Sequence, residues 1–263
     1  MYNAVMHMNK LRAPSANVQS TYYDSHGIHS VPTEDGEVHI FSFDKPADLV
    51  AAIKSDLPSS GTIITPEMAT VDITQGLDSI ASQASSVRRL EDEVQYASLG
   101  TTAEIILGSI QKSPRYNKWH NVAKTYRLGS KIDTQVKYGL SGVEQESGSI
   151  EAPLERERRI RLGRAVLICS ELIFTYGEDE AIAQGIETIL TPAAWGVQTP
   201  GFAEFNKPRI EAAGGIDNFN RNNMEKVVNG HTFRDIPSLK RVIVADRGMS
   251  GNKPVNSVHT RVE

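Results

Sequence analysis

The strongest constraint on the fold is a run of apolar residues between positions 73 and 99 whose spacing alternates between three and four. This spacing places the apolar side chains on one face of an α-helix. Thr65-Pro66 precedes the run and is typical of a helix start, because proline is accepted at the first helical position. We predict a long helix here, packed on its own domain or, as an alternative, paired with a partner helix. The apolar positions are Ile73, Leu77, Ile80, Ala84, Val87, Leu90 and Val94.

The other patterns predict mostly helices. Strands are indicated where β-branched and aromatic residues cluster between turn residues, at 37–43, 62–64 and 240–245. Capping residues, prolines at first positions and terminal glycines indicate helices at 102–111, 114–128, 153–176, 179–190 and 222–229. The predicted fold is therefore mainly α, with a small α+β N-terminal lobe, a multi-helix body and few short strands.

The same patterns divide the chain into segments, including an extended N-terminal arm and a C-terminal tail. A linker-like loop rich in Gly and Ser separates two helical regions. The second region contains a long loop with scattered aromatic residues, a kind of loop that often carries contacts. The predicted segments are an arm (1–35), a lobe (36–64), a first helical region (65–139), the linker-like loop (140–152), a second helical region (153–246) and a flexible tail (247–263).

Composition indicates a globular protein of a reducing compartment. The chain has 263 residues, of which 39% are hydrophobic and 23% charged. No stretch resembles a signal peptide or a membrane span, so we expect a cytoplasmic protein or an assembled particle without a membrane partner. Cys169 is the single cysteine and lies in an apolar run, which favours a buried, inert thiol over a reactive nucleophile.

Charge is distributed unevenly along the chain. The formal net charge is −4, but the span from 112 to 164 carries twelve Lys and Arg against six acidic residues. That span is therefore positive by six, and the remainder is negative by ten. Such segregation indicates an anionic partner for the middle of the chain.

The predicted helix 114–128 combines this charge with aromatic rings. Tyr116, Trp119 and Tyr126 share one face of such a helix, flanked by cations. Rings beside cations suit a nucleic acid, because the rings stack on bases and the cations contact phosphates. The alternative is an ordinary amphipathic helix that buries its rings in the core. The proposed contact residues here are Arg115, Lys118, Trp119, Lys124, Arg127 and Lys131.

A second basic cluster begins the predicted helix 153–176. Some of its arginines can pair locally with Glu155 and Glu157 at the favourable spacing of four. The unpaired ones suit phosphate or carboxylate recognition, since the guanidinium offers a planar fork of donors. The proposed contact residues of this cluster are Arg156, Arg158, Arg159, Arg161 and Arg164.

No catalytic or metal-binding motif satisfies its required pattern. The segment 247–254 follows a predicted strand, but Pro254 stands where a phosphate loop needs a hydroxyl. His26 and His29 lie three apart without the further ligands that zinc requires. We find neither a G-x-S-x-G nor an H-E-x-x-H pattern, so we predict no catalytic residue, metal or cofactor.

These observations favour a non-enzymatic, self-assembling protein of the viral coat or nucleocapsid kind. Its predicted partners are further copies of itself, forming a homo-oligomer, and a nucleic acid, RNA by preference. One alternative is an enzyme or binding protein for a phosphorylated or carboxylated small molecule, with the arginines as an anion clamp. A second alternative is a helical protein–protein adaptor that uses the helix 73–99.

Overall fold

A computed structural model describes residues 17–114, 116–154, 160–161, 163–174, 185–195, 200–248 and 252–262. Within these ranges the chain forms two six-stranded sheets. Both sheets are mixed, since each contains parallel and antiparallel neighbours. The architecture is therefore mixed α/β.

The first sheet runs in the order β2-β3-β4-β5-β6-β7. Parallel pairing joins β4 to β3 and β5, and the other neighbours are antiparallel. Its strands are β2 (Gly27–Thr33), β3 (Gly36–Ser42), β4 (Thr62–Ile64), β5 (Glu104–Lys112), β6 (Trp119–Arg127) and β7 (Ser130–Val136).

The second sheet runs in the order β1-β12-β11-β10-β9-β8. Here β10 is parallel to both β9 and β11, and the chain ends meet where β1 pairs with β12. Its strands are β1 (Val18–Tyr23), β8 (Ile160–Arg161), β9 (Arg164–Val166), β10 (Thr188–Ala193), β11 (Arg241–Asp246) and β12 (Asn256–Arg261).

Helices cover the sheets. Two of them, α1 (Pro46–Ser55) and α2 (Ile80–Ala97), pack against the first sheet and share an apolar cluster with it. Short 3-10 turns precede and follow α2. A π turn at Val228–Thr232 directly follows the helix Ile216–Val227. The remaining helices are α3 (Gly142–Ser147), α4 (Glu171–Phe174), α5 (Pro200–Ala212), α6 (Ile216–Val227) and α7 (Phe233–Asp235).

The core explains why the sheets stack in layers. On β4, Ile63 joins the apolar cluster that contains α1 and α2, whereas its neighbour Ile64 joins the cluster shared with the second sheet. On β5, Ile105 belongs to the cluster that contains α1 and α2, and Ile106 belongs to the cluster shared with the second sheet. Successive side chains of a strand point to opposite faces, so the first sheet is buried on both faces between helices and the second sheet.

The predicted mainly α fold is wrong. The segment 102–111, predicted as a helix, forms most of β5, and the segment 114–128, also predicted as a helix, contains all of β6. The segment 188–190 belongs to β10. A strand buried on both faces loses the alternation of polar and apolar residues by which strands are recognised. The short apolar runs in these segments are therefore equally compatible with a buried helix.

The predicted helix 153–176 and the predicted loop after residue 193 need correction as well. Of the former, residues 155–159, 162 and 175–176 lie outside the described residues, and the rest contains β8, β9 and the four-residue α4. The predicted loop after residue 193 contains α5, and the linker-like loop contains α3.

The predicted arm and flexible tail are also wrong where the structure describes them. Residues 1–16 lie outside the described residues, but the rest of the predicted arm forms β1 and β2. The predicted tail contributes β12, which pairs with β1 and β11. By contrast, the predicted strands at 37–43, 62–64 and 240–245 are present as β3, β4 and β11.

The predicted long helix 73–99 is confirmed in part. The helix α2 begins at Ile80, and 3-10 turns take the place of its predicted first turns. Among the described residues, no helix combines the length and apolar character needed to cross a membrane.

Candidate active site

The site begins with a turn that follows β4, residues 65–71, which we call the Glu67 turn. The Thr65 amide donates to the Ile106 carbonyl at 3.0 Å, and its hydroxyl accepts from the Gly108 amide at 2.9 Å. A Cβ on Gly108 would lie 1.8 Å from the Pro66 carbonyl oxygen. Gly108 therefore allows the turn to lie directly on β5, and this contact directs Glu67 into the interior.

Lys137 enters the same interior from the end of β7. Its backbone amide donates to the Asn121 carbonyl at 2.9 Å, which fixes the chain beside β6. Its side chain is only 1% exposed. The ammonium donates to Glu67 and, at 2.7 Å, to Glu144. One cation thus contacts two buried carboxylates.

Glu144 is held by the first turn of α3. Ser141 caps this helix in a capping box, in which the Ser141 amide and hydroxyl donate to the Glu144 carboxylate at 2.7 and 2.8 Å. The Asn121 amide donates to Glu144 at 2.7 Å and to Glu67 at 2.5 Å. Asn121 and Lys137 together therefore connect the two carboxylates.

Cys169 occupies a sharp turn between β9 and α4. Its φ of 48° lies in the left-handed region, which costs a non-glycine residue free energy. Glu171 stabilises the turn because its carboxylate accepts from the Ile168 amide at 2.8 Å and from the Tyr138 amide at 2.9 Å. A strained strand-to-helix turn is a geometry that presents a nucleophile.

The Cys169 thiol contacts Glu67. Glu67 and the Ala194 amide both lie close enough to the sulfur to shift the pKa of the thiol. The same Ala194 amide lies 3.2 Å from the second Glu67 oxygen. Glu67, Lys137 and Cys169 are therefore assembled from the ends of three different strands, β4, β7 and β9.

Burial and charge give the two carboxylates different proton affinities. Burial raises the pKa of Glu67, and the Lys137 ammonium only partly offsets it. Burial also acts on Glu144, but Lys137, Asn121 and the Ser141 amide outweigh it and lower the pKa of Glu144. Glu144 is consequently the permanent anion, and Glu67 is the carboxylate that can exchange a proton.

Burial and neighbouring charges also set the pKa values of Lys137 and Cys169. Burial alone would lower the pKa of Lys137, but the charges of Glu144 and Glu67 reverse the effect and raise it, so the ammonium persists. Burial and the charge of Glu67 raise the pKa of Cys169 well above its ordinary value. The thiol thus stays protonated until a neighbouring base accepts its proton.

The arrangement offers a nucleophile, a base and a fixed positive charge within one buried cluster. A thiol beside a carboxylate can transfer its proton to it as the sulfur attacks an electrophilic carbon. A buried ammonium can stabilise negative charge that develops on the attacked group. Among the described residues, no cluster of His, Cys, Asp and Glu could hold a metal ion.

The structure does not bring the predicted nucleic-acid-binding residues together at this site. Lys124 is buried, and its ammonium forms a 2.6 Å ion pair with Glu91 of α2. Trp119 is half-buried in an apolar cluster. Lys118 and Lys131 are exposed, near the two ends of β6. Arg115, Arg156, Arg158 and Arg159 lie outside the described residues, as does the side chain of Arg161 in β8.

Two of the predicted cations do meet, at another place. Arg127 and Arg164 approach Glu104 at 3.8 and 3.6 Å, and Arg164 also donates to Thr62 at 2.9 Å. These residues line a cavity of about 310 Å³. The cavity lies at the start of β4, β5 and β9, whereas Glu67 and Cys169 follow the ends of β4 and β9.

Sequence reasoning missed Glu67 and Glu144, counted Lys137 only as a charge and preferred an inert role for Cys169. One available signal was position relative to strands. Glu67 follows the short apolar run of β4, and Cys169 stands at the end of the apolar run that contains β9. Side chains at the carboxyl ends of parallel strands converge. The signal was lost for Cys169 because its run was assigned to a helix.

Comparisons with known proteins agree with this architecture. The chain matches no protein-family model and no curated protein. It is similar to the structure of a cysteine-to-serine variant of an amidase from Nesterenkonia AN1, described as from the nitrilase superfamily. The identity is 13%, the TM-score 0.50, and the match covers 95% of this chain and 93% of that chain. The likeness shows that the two chains share a fold.

Two further structures show the same likeness. One is a variant of the Nesterenkonia sp. AN1 amidase with the acetamide moiety of fluoroacetamide added at its active-site cysteine, at 14% identity, TM-score 0.52 and coverage of 94% and 91%. The other is a glutamine-dependent NAD+ synthetase from Acinetobacter baumannii, at 12% identity and TM-score 0.52, covering 86% of this chain and 47% of that chain. This chain therefore spans about half of the synthetase.

These comparisons overturn the predicted function. The structural neighbours are amidases and a synthetase rather than coat or nucleocapsid proteins, so the viral structural-protein interpretation is wrong. The prediction of a protein without enzymatic activity is contradicted by the same neighbours. The alternative of an enzyme fits better, although the arginines on which it relied are not the residues around Cys169.

Proposed function

We propose that this protein hydrolyses the C–N bond of a carboxamide through a covalent thioester on Cys169. The observation that carries the proposal is the buried group formed by Cys169, Glu67 and Lys137, in which the thiol lies beside Glu67 and Glu67 accepts from Lys137. The fold supports it, since amidases of the nitrilase superfamily share it and one carries a covalent adduct at its active-site cysteine.

In the first half of the reaction, the Cys169 sulfur attacks the amide carbonyl carbon while Glu67 accepts the thiol proton. The carbonyl π electrons move to oxygen and form a tetrahedral intermediate. When they return, the C–N bond breaks, and Glu67 gives its proton to the departing nitrogen. An amine or ammonia leaves, and the acyl group remains on sulfur as a thioester.

In the second half, water attacks the thioester carbonyl carbon and gives its proton to Glu67. Collapse of the second tetrahedral intermediate breaks the C–S bond, and the sulfur recovers the proton from Glu67. A carboxylic acid is released, so each cycle consumes one amide and one water. The raised pKa of Glu67 suits this alternation, because the carboxyl group must both accept and return a proton.

Lys137 supplies electrostatic stabilisation. Its ammonium stays charged between Glu67 and Glu144, so it can donate to the oxyanion of each tetrahedral intermediate. Glu144 anchors the ammonium and takes no part in proton transfer.

The test uses the fact that Cys169 is the single cysteine, so any thiol adduct can be assigned by the mass of the intact chain. Folded wild-type protein is incubated with acrylamide and with fluoroacetamide, and the mass is followed over time. Ammonia release is measured with a panel of small primary amides. We expect one adduct per chain, ammonia release in wild type, and neither adduct nor ammonia in Cys169→Ala.

Glu67→Gln distinguishes the base from a merely structural carboxylate. The amide can still accept from Lys137 and Asn121 but cannot take the thiol proton, so we expect adduct formation to slow by about 100-fold or more. The proposal is wrong if Cys169 in the folded protein reacts no faster than in the unfolded chain and no amide of the panel is cleaved.

A further inference from the structure

Arg247 is among the largest fully buried side chains of the described structure, at 2% exposure. Its guanidinium donates to the Met68 carbonyl at 3.0 Å, to the Val71 carbonyl at 2.9 Å and to the Asp44 carbonyl. Burial lowers the pKa of Arg247, which shows that the environment is costly for a charge. A buried cation directed at backbone carbonyls needs an explanation beyond ion pairing.

Two of the three carbonyls belong to the Glu67 turn. Met68 immediately follows Glu67 and has a φ of 49°, in the left-handed region. Its carbonyl accepts from the Val71 amide at 2.8 Å as well as from Arg247. The guanidinium therefore holds the strained turn closed. The turn is also attached to β5, because the Thr70 amide donates to the Gly108 carbonyl at 3.3 Å.

A second connection runs through β10. The Ala193 carbonyl accepts from the Glu67 amide at 3.2 Å and from the Arg247 amide at 3.3 Å, so one oxygen links the two backbones. Asp246, the neighbour of Arg247, accepts from the Trp195 amide at 2.6 Å. Trp195 adjoins Ala194, whose amide contacts both Glu67 and the Cys169 sulfur.

We propose that Arg247 is a positioning residue that sets the geometry of Glu67 against Cys169. This inference rests on the proposed function, because it assigns to Arg247 control over the base of that reaction. The planar guanidinium is suited to the role, since it binds several carbonyls in fixed directions where an ammonium offers only a point charge. Arg247 touches neither the thiol nor an expected substrate atom, so its effect must pass through the Glu67 turn.

The test compares Arg247→Met and Arg247→Lys with wild type. Acrylamide adds to Cys169 when the sulfur attacks the terminal alkene carbon, Glu67 takes the thiol proton, and the enolate is protonated at the neighbouring carbon. The rate is measured from pH 6 to 9 by intact mass, and folding is checked by urea unfolding. We expect Arg247→Met to slow the addition by about 100-fold, as a displaced reacting group does, with partial recovery in Arg247→Lys.

Arg261 provides a matched control. Its guanidinium also donates to backbone carbonyls, of Leu239 at 2.9 Å, Ile236 at 3.3 Å and Phe233, but near the opposite end of β11. Arg261→Met should lower the free energy of unfolding and leave the rate and pH profile of Cys169 addition unchanged in the folded protein. A slowing equal to that of Arg247→Met would reduce Arg247 to a general structural role.

The outcomes separate this proposal from the proposed function. If folded Arg247→Met reacts at the wild-type rate with an unchanged pH profile, the positioning role is overturned and the proposed function stands. If wild-type Cys169 is itself unreactive in the folded protein, both are overturned. Should Arg247→Met not fold, Arg247→Lys decides: it keeps the charge, so a wild-type rate in this variant overturns the role of the guanidinium fork.

Discussion

Glu144 and Lys137 form an ion pair of 2.7 Å in which the side chains are only 5% and 1% exposed. Glu67 contacts the same ammonium, so two buried carboxylates compete for one cation. Glu144 has the stronger set of donors, because the Ser141 amide and hydroxyl reinforce Lys137 and Asn121. The pair thereby fixes the ammonium and leaves Glu67 free to exchange a proton, a division of roles from which the first prediction follows.

Glu144→Gln should damage both stability and reactivity. Removing one partner of a buried ion pair costs about 3–5 kcal/mol, and we expect a loss of this order in the free energy of unfolding measured in urea. Glu67 then becomes the main counter-ion of Lys137, so its pKa should fall and the pH profile of Cys169 alkylation should shift to lower pH.

The exposed Glu146 on the same helix is the matched control, and Glu146→Gln should change neither property. Equal unfolding free energies for Glu144→Gln and Glu146→Gln would show that the buried pair does not have the assigned role.

Gly108→Ala should slow the reaction of Cys169 strongly without removing the sheets. The new Cβ would lie 1.8 Å from the Pro66 carbonyl oxygen, so the Glu67 turn must move away from β5. Overpacking of this kind typically costs about 1–3 kcal/mol, and the displaced base should slow alkylation by about 100-fold. Urea unfolding followed by circular dichroism measures the loss of stability, and intact mass measures the rate of alkylation.

Gly100→Ala controls for the glycine-to-alanine change itself. A Cβ at Gly100 meets no atom within 4 Å, so this variant should match wild type in stability and in alkylation rate. Retention of full reactivity in Gly108→Ala would contradict the assignment of Glu67 as the base.

How far the sequence predicts this molecule depends on burial. Strands β3, β4 and β11 were recognised because β-branched runs are bounded by turn residues. In β6, by contrast, the residues from His120 to Tyr126 are all buried, so polar and apolar residues occur together and the alternation disappears. The polar members have partners far along the chain, such as Glu67 for the Asn121 amide nitrogen and Glu91 for the Lys124 ammonium.

The residues of the candidate site could not be recognised from the sequence, because their roles also depend on burial and tertiary contacts. Glu67, Lys137 and Cys169 lie far apart in sequence and are joined only when three strands end at the same place. Charge counting assigned Lys137 to a basic surface, yet its side chain is almost completely buried. A single sequence reports residue type and local pattern, whereas the function of these residues depends on tertiary pairing that local pattern does not contain.

Lys124 illustrates the difference between a predicted surface cation and a buried one. Its 2.6 Å ion pair with Glu91 connects β6 to α2, and its ammonium also donates to the Ile110 carbonyl at 3.2 Å. Lys124→Ala leaves the Glu91 carboxylate, whose side chain is 15% exposed, without its counter-ion. We expect a loss of about 3 kcal/mol in the free energy of unfolding, at the lower end for a buried pair.

Lys131, also a predicted contact residue, is exposed on the adjoining β7 and gives the control. Lys131→Ala should change the free energy of unfolding by no more than about 0.5 kcal/mol. If the two alanine variants unfold at the same urea concentration, Lys124 does not contribute the stability assigned to the pair.

His259 lies in the second sheet between two hydroxyl groups. Its ring nitrogens hydrogen-bond with Ser20 at 2.8 Å and Ser257 at 3.0 Å, and burial lowers its pKa to about 3. The unfolded chain, with a pKa near 6.5, takes up a proton that the folded protein resists. The stability due to the neutral ring is therefore complete above about pH 6.5 and is lost as pH falls towards 3, by about 1.4 kcal/mol per pH unit.

Urea unfolding of wild type and His259→Gln between pH 7 and pH 4 measures this contribution, because the difference between the two proteins cancels the effect of other acidic groups. We expect the wild type to lose stability more steeply than the variant on acidification. The difference in their free energies of unfolding should decrease by about 1.4 kcal/mol for each pH unit below 6. A difference that stays constant over this range would mean that His259 is protonated in the folded protein as readily as in the unfolded chain.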